Sequence, residues 1–403
     1  MHFRPILSTL LRHRTAAALI VLEIALTCAI VCNAVFLIRE RLARMDQPSG
    51  VAEAELLRVQ LTGINKNSDA GAITQQDLTA LRAIPGVKSV ANVNMVPFGN
   101  SSWNTSVSTI KDDPNRLINA AMYMGSHDLL ETLGVNLIAG RDFTPDEYVE
   151  FDLVQKQEAR MPSIIVSRAI AEQMFPGQNA LGKGIYVWGD EPLVVVGIFE
   201  HVARPNDHRQ PRYSMFLPVT MPYTYGGNYV LRVDPTRKAE VLGAVDAAFD
   251  KVDPSRIMLE RQTYGTIRDE YFRDDRSMAW LLAGVSIALL IITALGVIGL
   301  ASFWVQQRTR QIGVRRALGA TRRDILHYFQ TENFILATMG IILGMAMAYG
   351  MNLVLMDKYS VPRLPWEFLP IGATLLYLLG QIAVLGPALR AAAIPPAIAT
   401  RTV

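Results

Sequence analysis

The stretch that comes nearest to a nucleotide-binding motif lies between residues 177 and 184. Gly177, Gly182 and Lys183 have the spacing of a phosphate-binding loop, in which backbone amides and a lysine hold phosphate groups. Gly184, however, stands where that motif has a serine or threonine for Mg²⁺. We therefore interpret the stretch as a turn, and the sequence contains no other Walker-like motif.

Four polar residues further along have the side chains of a metal site without its spacing. Glu200, His201, Asp207 and His208 are close in sequence, but their order matches no known metal-binding cluster. Pro205 between them indicates an exposed loop. We expect no metal to be bound there.

Three consecutive residues, Ser126, His127 and Asp128, have the residue types of a hydrolytic triad. Adjacent residues point their side chains apart, and Ser126 is better placed to cap a helix. The sequence also contains no nucleophile elbow and no zinc-protease helix. We therefore expect this part of the chain to bind and to relay motion, and not to catalyse a reaction.

Glu23 lies inside a long apolar run. A carboxylate within hydrocarbon is costly unless it is protonated or faces protein or water. Glu23 is therefore either placed shallowly near the membrane surface or has a role in helix packing or gating, and an intramembrane enzyme would need a second catalytic group that we do not find. Cys28 and Cys32, four residues apart on one helical face, favour helix contact over metal binding.

A group of arginines crowds the segment 306–325, which lies between two long apolar runs and contains Asp324 as its only acid. A short loop so rich in arginine stays on the cytoplasmic side of a bilayer. Gly319 can end one helix, and Thr321 with Asp324 can cap the next one. We expect a helix, a knuckle and a second helix. The arginines are Arg308, Arg310, Arg315, Arg316, Arg322 and Arg323.

The first helix of this segment is predicted to carry an apolar ridge. Helical spacing places Val314, Ala317 and Leu318 on one side. Arg308, Ile312 and Arg315 fall on another side. Such a ridge, flanked by charge, is typical of a docking surface. The alternative is that the arginines only anchor two helix ends to anionic lipid headgroups.

Four apolar runs of more than twenty residues predict transmembrane helices. At about 1.5 Å per residue, each run can cross a hydrocarbon core of about 30 Å. Basic residues before the first run and the arginine segment after the second place both termini in the cytoplasm. The runs are Thr15 to Ile38, Ala279 to Val305, Asn333 to Met356, and Phe368 to Leu389.

The composition agrees with insertion into a membrane, because half of the residues are hydrophobic. The formal net charge of +3 is small and its positive part is concentrated beside the apolar runs, so we expect contact with membrane lipid and no nucleic-acid partner. Both cysteines lie in the first run, which leaves no disulfide to stabilise the external domain.

The external segment contains one order of elements twice, and this predicts a split α/β subdomain whose halves pair in space. The two strand-helix-strand patterns cover residues 54–60, 74–84 and 87–93, and then residues 228–233, 235–252 and 256–260. Residues 110–225 would form an inserted subdomain. Its predicted elements are the helices His127 to Leu133 and Arg168 to Phe175 and the strands Ser163 to Ser167 and Leu193 to Phe199.

Two flanking segments are also predicted to be helical. Residues 1–14 have the pattern of an interfacial helix that leads into the bilayer. Residues 264–276 are charged and are predicted to continue without interruption into the second span as a stalk. A continuous stalk would transmit motion across the membrane.

The sequence Arg-Thr-Arg-Gln-Ile-Gly-Val-Arg-Arg-Ala-Leu-Gly-Ala, which begins at Arg308, resembles the signature of MacB/FtsX-like ABC transporter permeases. The turn Gly-Arg-x-Phe at residues 140–143, the stretch Phe-Pro-Gly-x-x-x-x-Gly-Lys from Phe175 and the tail from Pro387 also resemble this family. The tail has fewer charges than is usual in the family. The resemblance covers nearly the whole chain.

The resemblance implies that the knuckle docks on a cytoplasmic ABC ATPase dimer and that a second permease, identical or different, completes the transporter. ATP and Mg²⁺ would bind to that ATPase on a separate chain, and no cofactor would bind to this chain. The residues implied in coupling are Gln311, Ile312, Gly313, Val314, Arg315, Arg316, Ala317, Leu318, Gly319 and Ala320.

The predicted fold is an α-helical membrane protein of four transmembrane helices, with a large α/β extracytoplasmic domain between helices 1 and 2. The segments are an interfacial helix 1–14, the spans 15–38, 277–305, 333–356 and 368–389, the periplasmic domain 39–276, the coupling loop 306–332, the periplasmic loop 357–367 and the cytoplasmic tail 390–403. Within the periplasmic domain, the split subdomain covers 39–109 and 226–263, the insertion 110–225 and the stalk 264–276.

The family implies a place in the bacterial inner membrane and mechanotransmission, in which closure of the ATPases moves the external domains. Export of a peptide, antibiotic or similar compound, with a periplasmic adaptor and an outer-membrane channel, is the expected use. The alternatives are release of lipoproteins, control of a cell-wall hydrolase, or a membrane-anchored sensor that has no ATPase.

Overall fold

The chain folds into two compact units, one formed by the residues up to 45 and from 274 onward, and the other by residues 46–273. The computed structural model describes residues 14–63, 69–111, 118–188, 190–205, 213–222, 226–359 and 361–395. The interfacial helix predicted for residues 1–14 lies almost wholly outside the described residues. The helices of the described residues are α1 (Arg14–Met45), α2 (Ala70–Arg82), α3 (Leu129–Leu133), α4 (Phe151–Gln155), α5 (Arg168–Met174), α6 (Lys238–Asp250), α7 (Tyr264–Tyr271), α8 (Arg273–Gln307), α9 (Thr309–Ala317), α10 (Arg322–Tyr359) and α11 (Phe368–Ala392).

Four of these helices, α1, α8, α10 and α11, are long and apolar enough to cross a membrane. Each contains one of the four apolar runs predicted from the sequence, and each extends beyond it or matches its start. Their side chains are hydrophobic nearly all round, as expected for helices whose outer surface faces lipid.

Small residues bring α10 against α1. A methyl group added at Gly344 would lie 2.5 Å from Cys28 Cβ, and one added at Gly340 would lie 2.7 Å from Ile24 Cβ. The Gly-x-x-x-Gly spacing is therefore used for close helix packing. Cys28 and Cys32 are buried in the same contact region, with their sulfur atoms 4.0 Å apart.

The second unit is built on β-sheets, and one of them pairs the strands of the two halves predicted from the sequence. The strands of the described residues are β1 (Leu56–Thr62), β2 (Val87–Asn92), β3 (Asn104–Val107), β4 (Ile118–Tyr123), β5 (Leu137–Gly140), β6 (Val149–Glu150), β7 (Ser163–Ser167), β8 (Gly184–Ile185), β9 (Leu193–Phe199), β10 (Ser214–Phe216), β11 (Val219–Thr220), β12 (Gly226–Val233) and β13 (Ile257–Thr263).

The first sheet has the strand order β13-β1-β12-β2. Its central pair is antiparallel, with Leu57 opposite Leu231 and Val59 opposite Tyr229. These alternate residues face α2 and α6 and form a hydrophobic core with them. The two halves of the split subdomain therefore pair in one sheet, although more than a hundred residues separate them.

The inserted subdomain has its own mixed sheet, in the order β3-β4-β10-β7-β9-β5, with β8 paired to β9. This sheet includes β3, which precedes residue 110, where the insertion was predicted to begin. The strands β7 and β9 run parallel, with α5 between them in the chain. Ile164, Val166 and Val195 lie in the buried core of this sheet. A short parallel pair, β6 with β11, lies beside it.

Two of the differences between the predicted and the observed helices have a clear structural cause. The helix predicted to begin at Thr74 begins at Ala70, because the side chain of Asp69 accepts a hydrogen bond from Ala72 N at 2.9 Å and caps it. The stalk was predicted to be one continuous helix, but Phe272 interrupts it between α7 and α8. Phe272 is buried, with its ring centroid 5.1 Å from that of Phe98, so burial of this side chain competes with helix continuity.

Candidate functional site

The short helix α9 connects α8 to α10 and contains most of the residues implied in coupling. It ends as the sequence predicted. Gly319 has a φ of +101°, Ala320 N donates to Arg315 O at 3.0 Å, and Gly319 N donates to Arg316 O at 3.2 Å. These bonds make a Schellman motif, which satisfies the last carbonyls of the helix and turns the chain sharply.

The helix that follows starts with the predicted capping box. Asp324 Oδ2 accepts hydrogen bonds from Thr321 N at 2.9 Å and from Thr321 Oγ1 at 2.6 Å, and Asp324 N donates to Thr321 Oγ1 at 3.2 Å. The bonds fix the start of α10 directly after the turn. The knuckle between the two helices is therefore ordered by its own local sequence.

One face of α9 is exposed and apolar at its centre. Leu318 is 82% exposed and Val314 is 46% exposed, and Gln311 and Ala317 are also exposed beside them. We call these residues the α9 ridge. Leaving a leucine this exposed forfeits the stabilisation that burial of such a side chain would give, about 1.5–3 kcal/mol.

The opposite face of α9 is anchored in the helical unit. Ile312 is buried and packs in a cluster with Ile325, Phe329 and Ala388. Gly313 is buried beside it. The predicted separation of the α9 ridge from the side of Ile312 is therefore present in the fold.

Arg308 is not part of an exposed arginine surface. Its Nη1 lies 3.0 Å and 2.9 Å from the two carboxylate oxygens of Glu332, and the side chains of this pair are 9% and 1% exposed. The Arg308 guanidinium also lies 5.3 Å from the centroid of the Trp304 ring. Asp324 is the only acid between residues 306 and 325, whereas Glu332, the partner of Arg308, comes eight residues later on the same helix and is not singled out by the sequence pattern.

Two further arginines attach α9 to other helices. Arg316 Nη1 donates to Ala392 O and to Ile394 O, each at 2.9 Å, at the end of α11. A cation is favourable there because helix carbonyls are unpaired at a C-terminus. The Arg315 guanidinium lies 4.9 Å from the centroid of the Tyr328 ring in α10. The helix α9 is thus held to α10 and α11 by specific contacts of its arginines.

Glu23 faces α8. A methyl group added at Gly296 would lie 2.6 Å and 2.7 Å from the two carboxylate oxygens of Glu23, so the glycine leaves room for this side chain. One turn further along, Thr27 and Thr293 are buried with their hydroxyl oxygens 2.8 Å apart. These polar groups lie at the contact between α1 and α8, and the role of Glu23 in packing or gating stays a prediction.

The glycine-rich stretch of the inserted subdomain is a turn. Gly177 and Gly182 both have positive φ, 68° and 81°, while Lys183 contacts Gln178 and lies 4.8 Å from the Phe175 ring centroid. The lysine is therefore occupied by its own loop.

The residues of the metal-like pattern at 200–208 and of the triad-like pattern at 126–128 do not come together as sites in the described residues. Glu200 pairs with Arg168 at 2.7 Å, and Asp207 and His208 lie outside the described residues. Of the predicted triad, Ser126 Oγ accepts from Asn92 N, the His127 ring lies against Tyr148, and Asp128 pairs with Arg82. The prediction that Ser126 caps α3 is wrong, because no side chain caps the start of this helix. These contacts do not form a hydrolytic site.

Comparison with known families decides the identity of the fold. A family model described as the MacB-like periplasmic core domain matches residues 17–248, and one described as the FtsX-like permease C-terminal matches residues 283–396. The chain belongs to the MacB/FtsX-like ABC transporter permeases. Its described residues contain four candidate membrane spans, with a large α/β extracytoplasmic domain between the first two.

Two relatives agree with the assignment to the MacB/FtsX-like permeases. The chain is 26% identical to the ABC transporter permease YvrN of Bacillus subtilis, over 70% of this chain and 69% of YvrN. It is 24% identical to the macrolide export ATP-binding/permease protein MacB of Pasteurella multocida, over 58% of this chain and 35% of that protein. The periplasmic region of MacB from Actinobacillus actinomycetemcomitans aligns with a TM-score of 0.34 at 14% identity, over 57% of this chain and 97% of that region.

Proposed function

We propose that the α9 ridge is the surface on which a separate ABC ATPase docks, and that this permease relays the motion of that ATPase to its extracytoplasmic domain. The observation that carries the proposal is the contrast between the two faces of α9. Leu318 is 82% exposed, while Ile312 on the other side is 5% exposed. An apolar residue on an anchored helix, surrounded by arginines, has the anatomy of a protein interface: an apolar centre and a charged rim.

The contacts of α9 supply a route for that motion. Arg308 ties the start of the segment to α10 through Glu332, and Arg316 ties its end to α11. A displacement of the α9 ridge is therefore passed to two membrane helices through polar contacts and through the packing of Ile312. In this proposal ATP and Mg²⁺ bind to the ATPase, and this chain binds no cofactor.

The proposal includes the orientation and the assembly. The arginine-rich segment lies in the cytoplasm of a bacterial cell, the termini lie on the same side, and the protein resides in the inner membrane. Two permeases act with two ATPases. The exported molecule is a peptide, an antibiotic or a similar compound that passes to a periplasmic adaptor and an outer-membrane channel. Support for export comes from relatives such as the macrolide export protein MacB of Pasteurella multocida.

Substitution at one exposed position tests docking. Leu318→Glu should prevent recovery of an ATPase with the purified permease, whereas Leu318→Met, which keeps an apolar side chain at the same position, should recover as much ATPase as the native chain. The measurement is the amount of copurified ATPase and its rate of ATP hydrolysis in nanodiscs. Equal recovery and equal hydrolysis with Leu318→Glu and Leu318→Met would refute docking on the α9 ridge.

Cysteine labelling tests the orientation. The two native cysteines are buried, so they contribute little background. Leu318→Cys should resist a membrane-impermeant maleimide in intact cells and react after the membrane is opened. Ser255→Cys, in the extracytoplasmic domain, should react in spheroplasts without that step. Labelling of residue 318 from outside would overturn the proposed topology.

A further inference from the structure

The extracytoplasmic domain contains a cleft of about 580 Å³ that has no part in the proposed docking of the ATPase. One wall is α4 with the segment that follows it, and Trp188, Asp190 and Glu191, which lie between β8 and β9 in the chain, line the other wall. Its volume is within the range of about 300–1,000 Å³ that is usual for sites of small organic ligands. Met161 and Leu193, at the bottom of the cleft, are 8% and 2% exposed.

Three aromatic rings line this cleft. The ring centroid of Phe151 lies 5.5 Å from that of Trp103 and 6.5 Å from that of Trp188, and both contacts are edge to face. All three side chains are half-buried. Residues 46–273 contain two tryptophans in sequence, Trp103 and Trp188, and both line the same cleft. Tryptophan side chains with an open side offer a flat ligand both apolar area and a stacking partner.

The rim of the cleft is polar and balanced in charge. Arg160 forms an ion pair with Glu191, and Lys111 lies 3.2 Å from Asp190. All four of these side chains are exposed, so their charges are screened and their mutual attraction is weak. Gln155, also at the rim, adds an uncharged amide that can donate and accept hydrogen bonds. The cleft therefore does not select strongly for a charged ligand.

We propose that this cleft binds a flat aromatic molecule of drug-like size with an uncharged polar edge. The aromatic part stacks beside Phe151 on Trp188 and Trp103, above the buried floor of Met161 and Leu193. The polar edge of the ligand faces the rim, where it forms hydrogen bonds with the amide of Gln155 and with water. A flat ring system gains most here, because it covers two indoles without displacing a paired charge.

Riboflavin is a suitable probe, since it is flat, uncharged and water-soluble, and its fluorescence is quenched when it stacks on an indole. The purified chain in lipid nanodiscs is titrated into riboflavin, and saturable quenching is expected. Trp188→Ala should weaken binding about tenfold, a loss within the range for removal of one stacking side chain, and Trp188→Phe should weaken it less than about threefold. Trp366→Ala removes a tryptophan that is 75% exposed in the other unit and should leave binding unchanged.

Two further measurements separate loss of the site from loss of the fold. Circular dichroism and the unfolding midpoint identify any variant that does not fold. In that case Gln155→Arg, at an exposed residue of the rim, serves in place of Trp188→Ala, because a long charged side chain at the mouth should weaken binding at least about threefold. Quenching that does not saturate, or that is the same in Trp188→Ala and the native chain, would overturn the proposal.

Discussion

The buried pair of Arg308 and Glu332 makes a quantitative prediction about the helical unit. Glu332→Ala removes the carboxylate and leaves a guanidinium that is 9% exposed without its anion. Removal of one partner from a buried ion pair costs about 3–5 kcal/mol, because the remaining charge stays desolvated. We expect about 3 kcal/mol here, since the Trp304 ring, 5.3 Å from the guanidinium, retains part of the stabilisation of the cation.

Two comparisons make this magnitude meaningful. Thr27→Val removes an interhelical hydrogen bond of 2.8 Å between uncharged groups, and such bonds in membrane proteins average about 0.6 kcal/mol. The double substitution Arg308→Met with Glu332→Leu removes both charges and keeps apolar volume, so it should cost less than about 1 kcal/mol. The order of stability is therefore native, then the double variant and Thr27→Val together, then Glu332→Ala.

The assay is reversible unfolding of the purified chain in mixed micelles with increasing mole fraction of dodecyl sulfate, followed by circular dichroism. If Glu332→Ala and Thr27→Val lose the same stability, Arg308 is not a desolvated charge, and the reasoning fails. A double variant as unstable as Glu332→Ala would show that the pair contributes net stability, which contradicts the desolvation argument.

Three other substitutions test separate parts of the fold. Gly344→Leu should cost about 2 kcal/mol in the same unfolding assay, because a side chain there meets α1 in close contact, whereas Gly350→Leu, where an added Cβ meets nothing within 4 Å, should be neutral. Gly319→Ala should lower stability by about 1–2 kcal/mol because of the φ of +101°, and Gly319→Asn should lower it less. The Arg141 guanidinium lowers the pKa of Glu147 from 4.5 to about 2, so this carboxylate stabilises the extracytoplasmic domain above about pH 4.5 and loses that contribution as the pH falls towards 2. Glu147→Gln should therefore lower stability at neutral pH and reduce the loss of stability on acidification, and an unchanged acid transition would contradict the assignment.

Much of this protein was predictable from patterns that act over a few residues. The apolar runs predict helices because backbone groups in hydrocarbon must satisfy each other within the same segment. The knuckle was predictable because Gly319 and the pair of Thr321 and Asp324 form local hydrogen bonds. The split subdomain followed from the repeated order of elements, which places apolar residues of both halves on one face of a sheet.

The partners of the arginines in and beside α9 could not be obtained in this way. Arg308 and Glu332 are 24 residues apart, and Arg316 is 76 residues from the carbonyl of Ala392. Sequence alone groups the arginines as one basic surface, while the fold removes two of them from that surface and gives them structural contacts. The distinction depends on which helices are neighbours.

Membrane helices, an external α/β domain and a basic knuckle can all be predicted from the order of residues, because composition and hydrophobic periodicity are local properties. Three features became known from the folded chain alone: Phe272 interrupts the stalk, Glu332 is the partner of Arg308, and Trp103 and Trp188 line one cleft. Each of these features depends on side chains from distant segments that pack together in the folded chain. The local sequence pattern around each residue does not specify which distant residues it will contact.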